Sequence, residues 1–403
     1  MARLSSEELE KIKQKYSVDR LWSYSRVNTF LVSPFEYALK YVDGIKAKED
    51  RQDSIYTSLG SAAHQCLEDY YTNKIQFYEM QEQFEDSWVT CYDVAQLKFD
   101  RSDAEKNQSI ADKYKLNMQY FFKNHTVYPY KVLIEKPITV DVNGNIFVGY
   151  IDGLYKDNND DITIIDFKSS SMYKGKALDE HSQQLKLYTL GIHQLTGLPF
   201  SKIHACFNFL KYVTVEYTQA NGKSKTRDVE RANLGESLQA NLKVWIKKLG
   251  YEDQMDEFLK IVIDDNDIIR LPKDIRDKYK IYDCHVFVDT SEESINKLVN
   301  EISVIVKDIE LREQDFEKTK SINCFWDSEE SVKAQSYYFN NLCSFSPKLH
   351  LPYKAYLEKL EATQNGTNLF GGLLGSDTVS TSSSNVINNK SDELDLSWLD
   401  SIV

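Results

Sequence analysis

Residues 149–153 read Gly-Tyr-Ile-Asp-Gly and residues 162–168 read Ile-Thr-Ile-Ile-Asp-Phe-Lys. Each segment has the length and apolar content of a β-strand, and each carries an acid in its interior, Asp152 and Asp166. A carboxylate inside a hydrophobic strand is costly unless a counter-charge, hydrogen bonds or a metal ion satisfies it. Asp166 and Lys168 are two residues apart and so share one face of their strand. Acids on neighbouring strands repel each other unless a cation lies between them, and hard carboxylate oxygens suit Mg2+ or Mn2+. Taken alone, the same residues fit a buried Asp–Lys salt bridge, or strand ends running into turns, equally well.

The surrounding sequence extends the pattern. Val132, Ile134, Ile138 and Val140 form a β-rich run before these two, and the three runs are separated by Asn143-Gly144 and by Asp157 to Asp161, both hairpin signals. A helix is expected from Leu178 to Leu195 and a further strand from Ile203 to Tyr212. Upstream, Ser5-x-x-Glu8 is a capping box opening a helix, and Ser33-Pro34 divides residues 25–41 into two short helices. The segment from Gly60 to Tyr71 has helical spacing, with His64 and Glu68 one turn apart on one face. Residues 76–125 continue as aromatic, helical segments. Helices, a three-stranded meander, a helix and a strand make an α/β chain with a mixed sheet flanked by helices.

In order along the chain stand Gly60-x-x-x-His64, Glu135, Gly149-x-x-Asp152, Ile164-Ile-Asp166-Phe-Lys168 and Gln184-x-x-x-Tyr188. This succession resembles the RecB-like branch of the PD-(D/E)XK nuclease superfamily, which includes recombination exonucleases and CRISPR-adaptation nucleases. The resemblance covers about residues 20–215, with a fainter echo near 321–345. It implies a PD-(D/E)XK nuclease core. It also implies that His64, Asp152, Asp166 and the Phe167 carbonyl ligate a metal, Mg2+ or Mn2+, with the nitrogen ligand tilting preference to Mn2+. Lys168 would orient the attacking water and stabilise charge developing on the phosphate. Gln184 and Tyr188 would position the substrate strand or the ligands. Glu135 fits a family position only loosely, a solvent-facing edge glutamate being the equal alternative, and Glu68 reads as a supporting or surface residue. Many relatives carry a four-cysteine iron–sulfur cluster with a Cys-Pro-aromatic start. Here that position is Ser33-Pro34-Phe35, and Cys324 and Cys343 are too few, so no cluster is expected. Aromatic packing by Trp326, Tyr337 and Phe339 would serve as the clasp instead.

The remaining features limit the function classes. The net charge is −13, which argues against coating duplex DNA along its length but leaves room for a local cationic groove. Six scattered cysteines without a CxxC pair suit a reducing compartment, and a cytoplasmic setting in a bacterial or phage-infected cell is expected. No phosphate-binding loop is present, which argues against ATP-driven translocation. Lys211, Lys223, Lys225 and Arg227 flank Asn221-Gly222 in a basic hairpin, solvated or touching DNA, while His181, His193, His204 and His285 lack metal-ligand spacing. Residues 1–360 read as one nuclease domain, in which 213–320 is an insertion or helical elaboration restricting access to the site. Residues 361–391 read as a disordered linker, since eleven of the sixteen residues in 376–391 are Ser, Thr or Asn. Residues 392–403 form an acidic, apolar tail. Its Leu394, Leu396, Trp398 and Leu399 suit either a fold-back onto the enzyme or docking to a sliding clamp or other replisome or recombination protein. The expected activity is metal-dependent hydrolysis of DNA, exonucleolytic on single strands or DNA ends, in replication, recombination or repair and with a phage-like composition. A non-catalytic DNA-end or replisome adaptor on the same fold is the rival reading.

Overall fold

Short polar side chains set the first boundaries. Ser5 caps α1 (Ser6–Tyr16) in a full capping box with Glu8, and Ser33 ends α2 (Tyr24–Val32) while its hydroxyl caps α3 (Pro34–Tyr41). The computed structural model describes residues 4–42, 53–343, 345, 358 and 398. Next come α4 (Ile55–Tyr71), α5 (Glu79–Trp88) and α6 (Ala104–Asn124), then β1 (Leu133–Val142), β2 (Asn145–Lys156) and β3 (Ile162–Lys168). They are followed by α7 (Lys176–His181), α8 (Gln183–Thr196), β4 (Ile203–Thr218), β5 (Ser224–Glu230), α9 (Leu234–Lys248), α10 (Met255–Ile263) and α11 (Lys273–Arg276). The chain continues through β6 (Tyr279–Phe287), α12 (Glu292–Thr319) and α13 (Glu329–Ala334). No helix among the described residues is long and apolar enough to cross a membrane. The described residues fall into two compact units, one of 54–301 with Trp398, the other of 4–42 and 53 with residues from 302 onward.

The first unit is built on a mixed six-stranded sheet flanked by helices. β1, β2 and β3 form an antiparallel meander, and Asn143 and Gly144, at φ 53° and 86°, supply the two left-handed residues of its first turn. β3 then pairs in parallel with β4 across the α7–α8 crossover, placing Asp166 beside Phe207 and Lys168 beside Phe209. Helices α4 to α6 cover Ile165, Phe167, Cys206 and Leu210. On α8, Gly191 allows close approach: a Cβ there would lie 2.6 Å from Ile138 of β1.

Three local expectations need correction. The expected helix from Leu178 to Leu195 is two helices, α7 and α8, broken at the buried Ser182. β4 does not stop at Tyr212 but runs to Thr218. Residues 213–320 are not only helical: β5 and β6 both pair with β4, so this stretch completes the sheet. Its strands lack an apolar signature because β5, Ser-Lys-Thr-Arg-Asp-Val-Glu, is mostly exposed, and β6 carries Lys280, Asp283 and His285.

In the second unit, residues far apart in sequence are cross-linked. Ser33 donates to Asp327 Oδ2 at 2.5 Å, the Phe35 ring packs against Trp326 with centroids 4.4 Å apart and planes tilted by 50°, and Glu313 takes Arg20, Arg26 and the Tyr37 hydroxyl. Trp326 takes part in this clasp and Phe339 is buried, but Tyr337 is 49 % exposed, and Phe325 stacks on Tyr37 instead. The linker and most of the tail, including Leu394, Leu396 and Leu399, lie outside the described residues. Trp398 is described, and it is 8 % exposed.

Candidate active site

Four elements of the first unit converge at the two acids. His64, in the middle of α4, places Nε2 2.8 Å from the Phe167 carbonyl oxygen, while its Nδ1 lies 3.6 Å from Asp152 Oδ2 and 3.9 Å from Glu135 Oε1. The Phe167 amide donates to Asp152 Oδ2 at 3.1 Å, tying β3 to β2 beyond the last paired residues. Asp166 is 6 % exposed and receives the Lys168 amine at 2.6 Å. One ligand atom each from His64, Glu135 and Asp152 lies within 4.8 Å of the others.

Glu135 is the residue whose role the sequence left open. Its carboxylate is 11 % exposed and turned to His64, not to solvent. Its backbone has φ 51°, a left-handed conformation that costs a non-glycine residue about 1–2 kcal/mol. The β1–β2 register is the same on both sides of it, and only the Glu135–Asp152 step is missing from the ladder. Ile134 packs among the α4–α6 residues, whereas Ile138, four residues on, meets α8. In an unbroken strand these two would share a face. The left-handed residue between them breaks the alternation and brings its side chain into the site.

The charges are unbalanced. Burial raises the Asp152 carboxyl to about 7, with Asp166 adding to the shift and His64 and Lys168 opposing it. Burial disfavours the His64 cation, but Asp152, Glu135 and Asp166 outweigh it and raise the imidazole to about 9. Burial likewise works against the Lys168 ammonium, and Asp166 with Asp152 overcomes it, so that its pKa is raised. One imidazole and one amine thus leave an excess of carboxylate in a largely buried site. That excess, with an imidazole nitrogen and a backbone carbonyl alongside, fits a divalent cation.

Gln184 and Tyr188 share a face of α8, with the Gln184 amide donating to the Tyr188 hydroxyl at 2.8 Å. Tyr188 is 6 % exposed, and burial, reinforced by Asp152 and Asp166, raises its phenol. Its ring lies against Gly149, where a Cβ would come within 2.5 Å. The glycine of Gly149-x-x-Asp152 therefore makes room for the tyrosine of Gln184-x-x-x-Tyr188. Glu68 stays outside the cluster, 8 % exposed and 3.7 Å from Lys74. In the basic hairpin, Lys223 and Lys225 are exposed, whereas Lys211 lies over the Tyr114 ring at 5.5 Å and burial lowers its amine to about 8.

No curated protein matches this chain. The family described as the PD-(D/E)XK nuclease superfamily matches residues 21–278, a span that contains all five motifs and both paired acids. A match over more than half of the 403 residues, on a mixed sheet that brings His64, Asp152, Asp166 and Lys168 together, shows that the chain belongs to the PD-(D/E)XK nuclease superfamily, whose members are generally metal-dependent hydrolytic nucleases.

Proposed function

We propose that the protein is a deoxyribonuclease of the RecB-like branch, acting exonucleolytically on single strands or DNA ends in recombination, repair or phage genome processing. The observation that carries this reading is the joint presence of the His64–Glu135–Asp152 cluster and the Asp166–Lys168 pair on adjacent elements. His64, Asp152, Asp166 and the Phe167 carbonyl would hold Mn2+ or Mg2+, with Glu135 as a further carboxylate. When bound, the cation supplies Lewis acidity that polarises the scissile phosphodiester and acidifies the attacking water. The protein's own side chains do the rest. Lys168, kept protonated by Asp166 and Asp152, places a positive charge where negative charge develops on the phosphate. The Phe167 amide fixes the Asp152 carboxylate, and Tyr188, buried against Gly149, closes the floor of the site.

Incubating the purified chain with Mn2+ and end-labelled single-stranded DNA tests this reading. Mononucleotides released progressively from one end would support it, internal fragments would make the enzyme an endonuclease, and no cleavage would favour the adaptor. For the tail, the 8 % exposure of Trp398 favours the fold-back over clamp docking, since a clamp partner would first have to draw this ring out.

A further inference from the structure

Beyond Lys168 the chain builds an aromatic stack that the chemistry above does not use. Phe207 and Phe209 lie beside Asp166 and Lys168 in the parallel ladder, so all four side chains leave the same face of the sheet. Tyr173 meets both rings edge-on, at 5.5 and 5.2 Å with interplanar angles of 85° and 82°, and Ser170 holds its hydroxyl at 3.1 Å. His181, the last residue of α7, lies flat on Tyr173, with centroids 3.9 Å apart and planes 15° apart. His181 is exposed, and among the described residues its ring nitrogens have no hydrogen-bond partner. The Lys168 amine is 6.0 Å from the Phe207 ring, on which the stack rests. Partial burial, and then the Lys168 charge, hold the His181 imidazole below its ordinary value, which leaves a neutral ring at pH 7.

His181 thus presents an exposed ring stacked flat on Tyr173, which in turn rests on Phe207 and Phe209, so the platform is held in a fixed orientation beside Lys168. We infer that His181, backed by Tyr173, is a stacking platform for one base of an unpaired substrate strand, next to the scissile phosphate. Bases present a π-face whatever their identity, so such a platform selects unpaired over paired strands without reading sequence. Inside a duplex both faces of each base are already stacked, so only unpaired or frayed bases can reach the platform. The inference rests on the nuclease reading and specifies how that site would favour single strands.

The test uses the full chain and short single strands carrying 2-aminopurine at successive positions, with Ca2+ to hold the strand uncut. Binding is read by fluorescence anisotropy and stacking by quenching. The wild-type protein should quench the probe at one position or at two adjacent ones. His181→Ala should abolish that quenching and weaken single-strand binding by about 5- to 100-fold, with its melting temperature unchanged because the side chain is exposed. His181→Phe should restore both. Unchanged quenching and affinity in His181→Ala would overturn the platform. Failure of His181→Phe to rescue a defect would overturn it too, since a ring nitrogen rather than a ring face would then be required. Cleavage with Mn2+ separates the two readings. A cleaving wild type with an indifferent His181→Ala sinks the platform alone, whereas a wild type that neither binds nor cleaves sinks the nuclease reading and the platform with it.

Discussion

Glu135 shows what a single side chain contributes and why the sequence left its role open. Glutamate rarely adopts φ 51°, so nothing in Ile-Glu-Lys-Pro signals that this residue will turn out of its strand and face His64. Strain of this kind persists where the surroundings require it, commonly at functional sites. Glu135→Gly should therefore raise the stability of metal-free protein by about 1 kcal/mol in denaturant titration, and weaken Mn2+ binding at least about tenfold by calorimetry. A variant that binds Mn2+ as well as the wild type would remove Glu135 from the ligand set. Asp152, Asp166 and Lys168 stood out because acids and a lysine in apolar strands demand an explanation, whereas His64, on a helix, was singled out only through the family resemblance. Their coupling also gives the site a pH signature. Asp152 has its folded pKa raised to about 7 from an ordinary value of 3.8, and His64 is raised to about 9 from 6.5. A raised group stabilises the fold fully below its unfolded value and loses that contribution as pH climbs through its folded value. Metal-free protein in EDTA should thus lose melting temperature from pH 4 to 7 through Asp152, and again from 6.5 to 9 through His64. Asp152→Asn should remove the first decline. If the melting temperature instead rises across pH 4 to 7, the site is not charge-frustrated as described.

At the scale of elements, the meander and the β3–α8–β4 crossover were readable because apolar runs of strand length alternate with strong turn signals. The second half of β4, with β5 and β6, was not. The second half of β4 lies between β5 and β6, which each pair with β4 alone among the described strands, and the stability of all three comes from long-range partners that no local pattern reveals. The buried ion cluster at β6 is the clearest case. Asp283 accepts from Arg231 at 2.5 Å and pairs with His125 Nδ1 at 2.5 Å, while His125 Nε2 meets the Tyr71 hydroxyl at 2.7 Å. Arg231 also donates to the Leu210 carbonyl at 2.7 Å. One carboxylate thereby ties together the end of α4, the segment after α6, β4 and β6; burial pushes its pKa up, but the contacts with His125 and Arg231 outweigh burial and hold it well below the ordinary range. Removing one member of such a cluster leaves uncompensated charge in the interior, typically costing about 3–5 kcal/mol. Asp283→Ala should lower the denaturation midpoint accordingly, while leaving cleavage per folded molecule unchanged well below it. A loss under about 1 kcal/mol would mean the cluster is solvated in solution and does not fasten these elements. Gly149→Ala is the matching test at the α8–β2 contact. A methyl 2.5 Å from the Tyr188 ring must displace it, with an expected cost of about 1–3 kcal/mol and a fall in activity at 25 °C.

For the molecule as a whole, the net charge of −13 argued against binding along a duplex, and the structure concentrates its chemistry in one small cluster of opposed charges. The tail is the part least determined by composition, because Trp and Leu in an acidic terminus suit a partner's pocket as well as the enzyme's own surface. Burial of Trp398 to 8 % exposure makes the second case testable. Trp398→Ala should destabilise the protein by about 3 kcal/mol in thermal unfolding, whereas an unchanged midpoint would return the tail to service as a ligand for another protein. The most direct measurement is cleavage of end-labelled single-stranded DNA in Mn2+ by wild type, Asp166→Ala and Lys168→Ala, each checked for folding by circular dichroism. The expected result is cleavage by the wild type that EDTA abolishes, with both folded variants slower by at least about 100-fold. Full activity in both variants, or none in the folded wild type with Mn2+, would contradict the assignment of metal-dependent hydrolysis to this cluster.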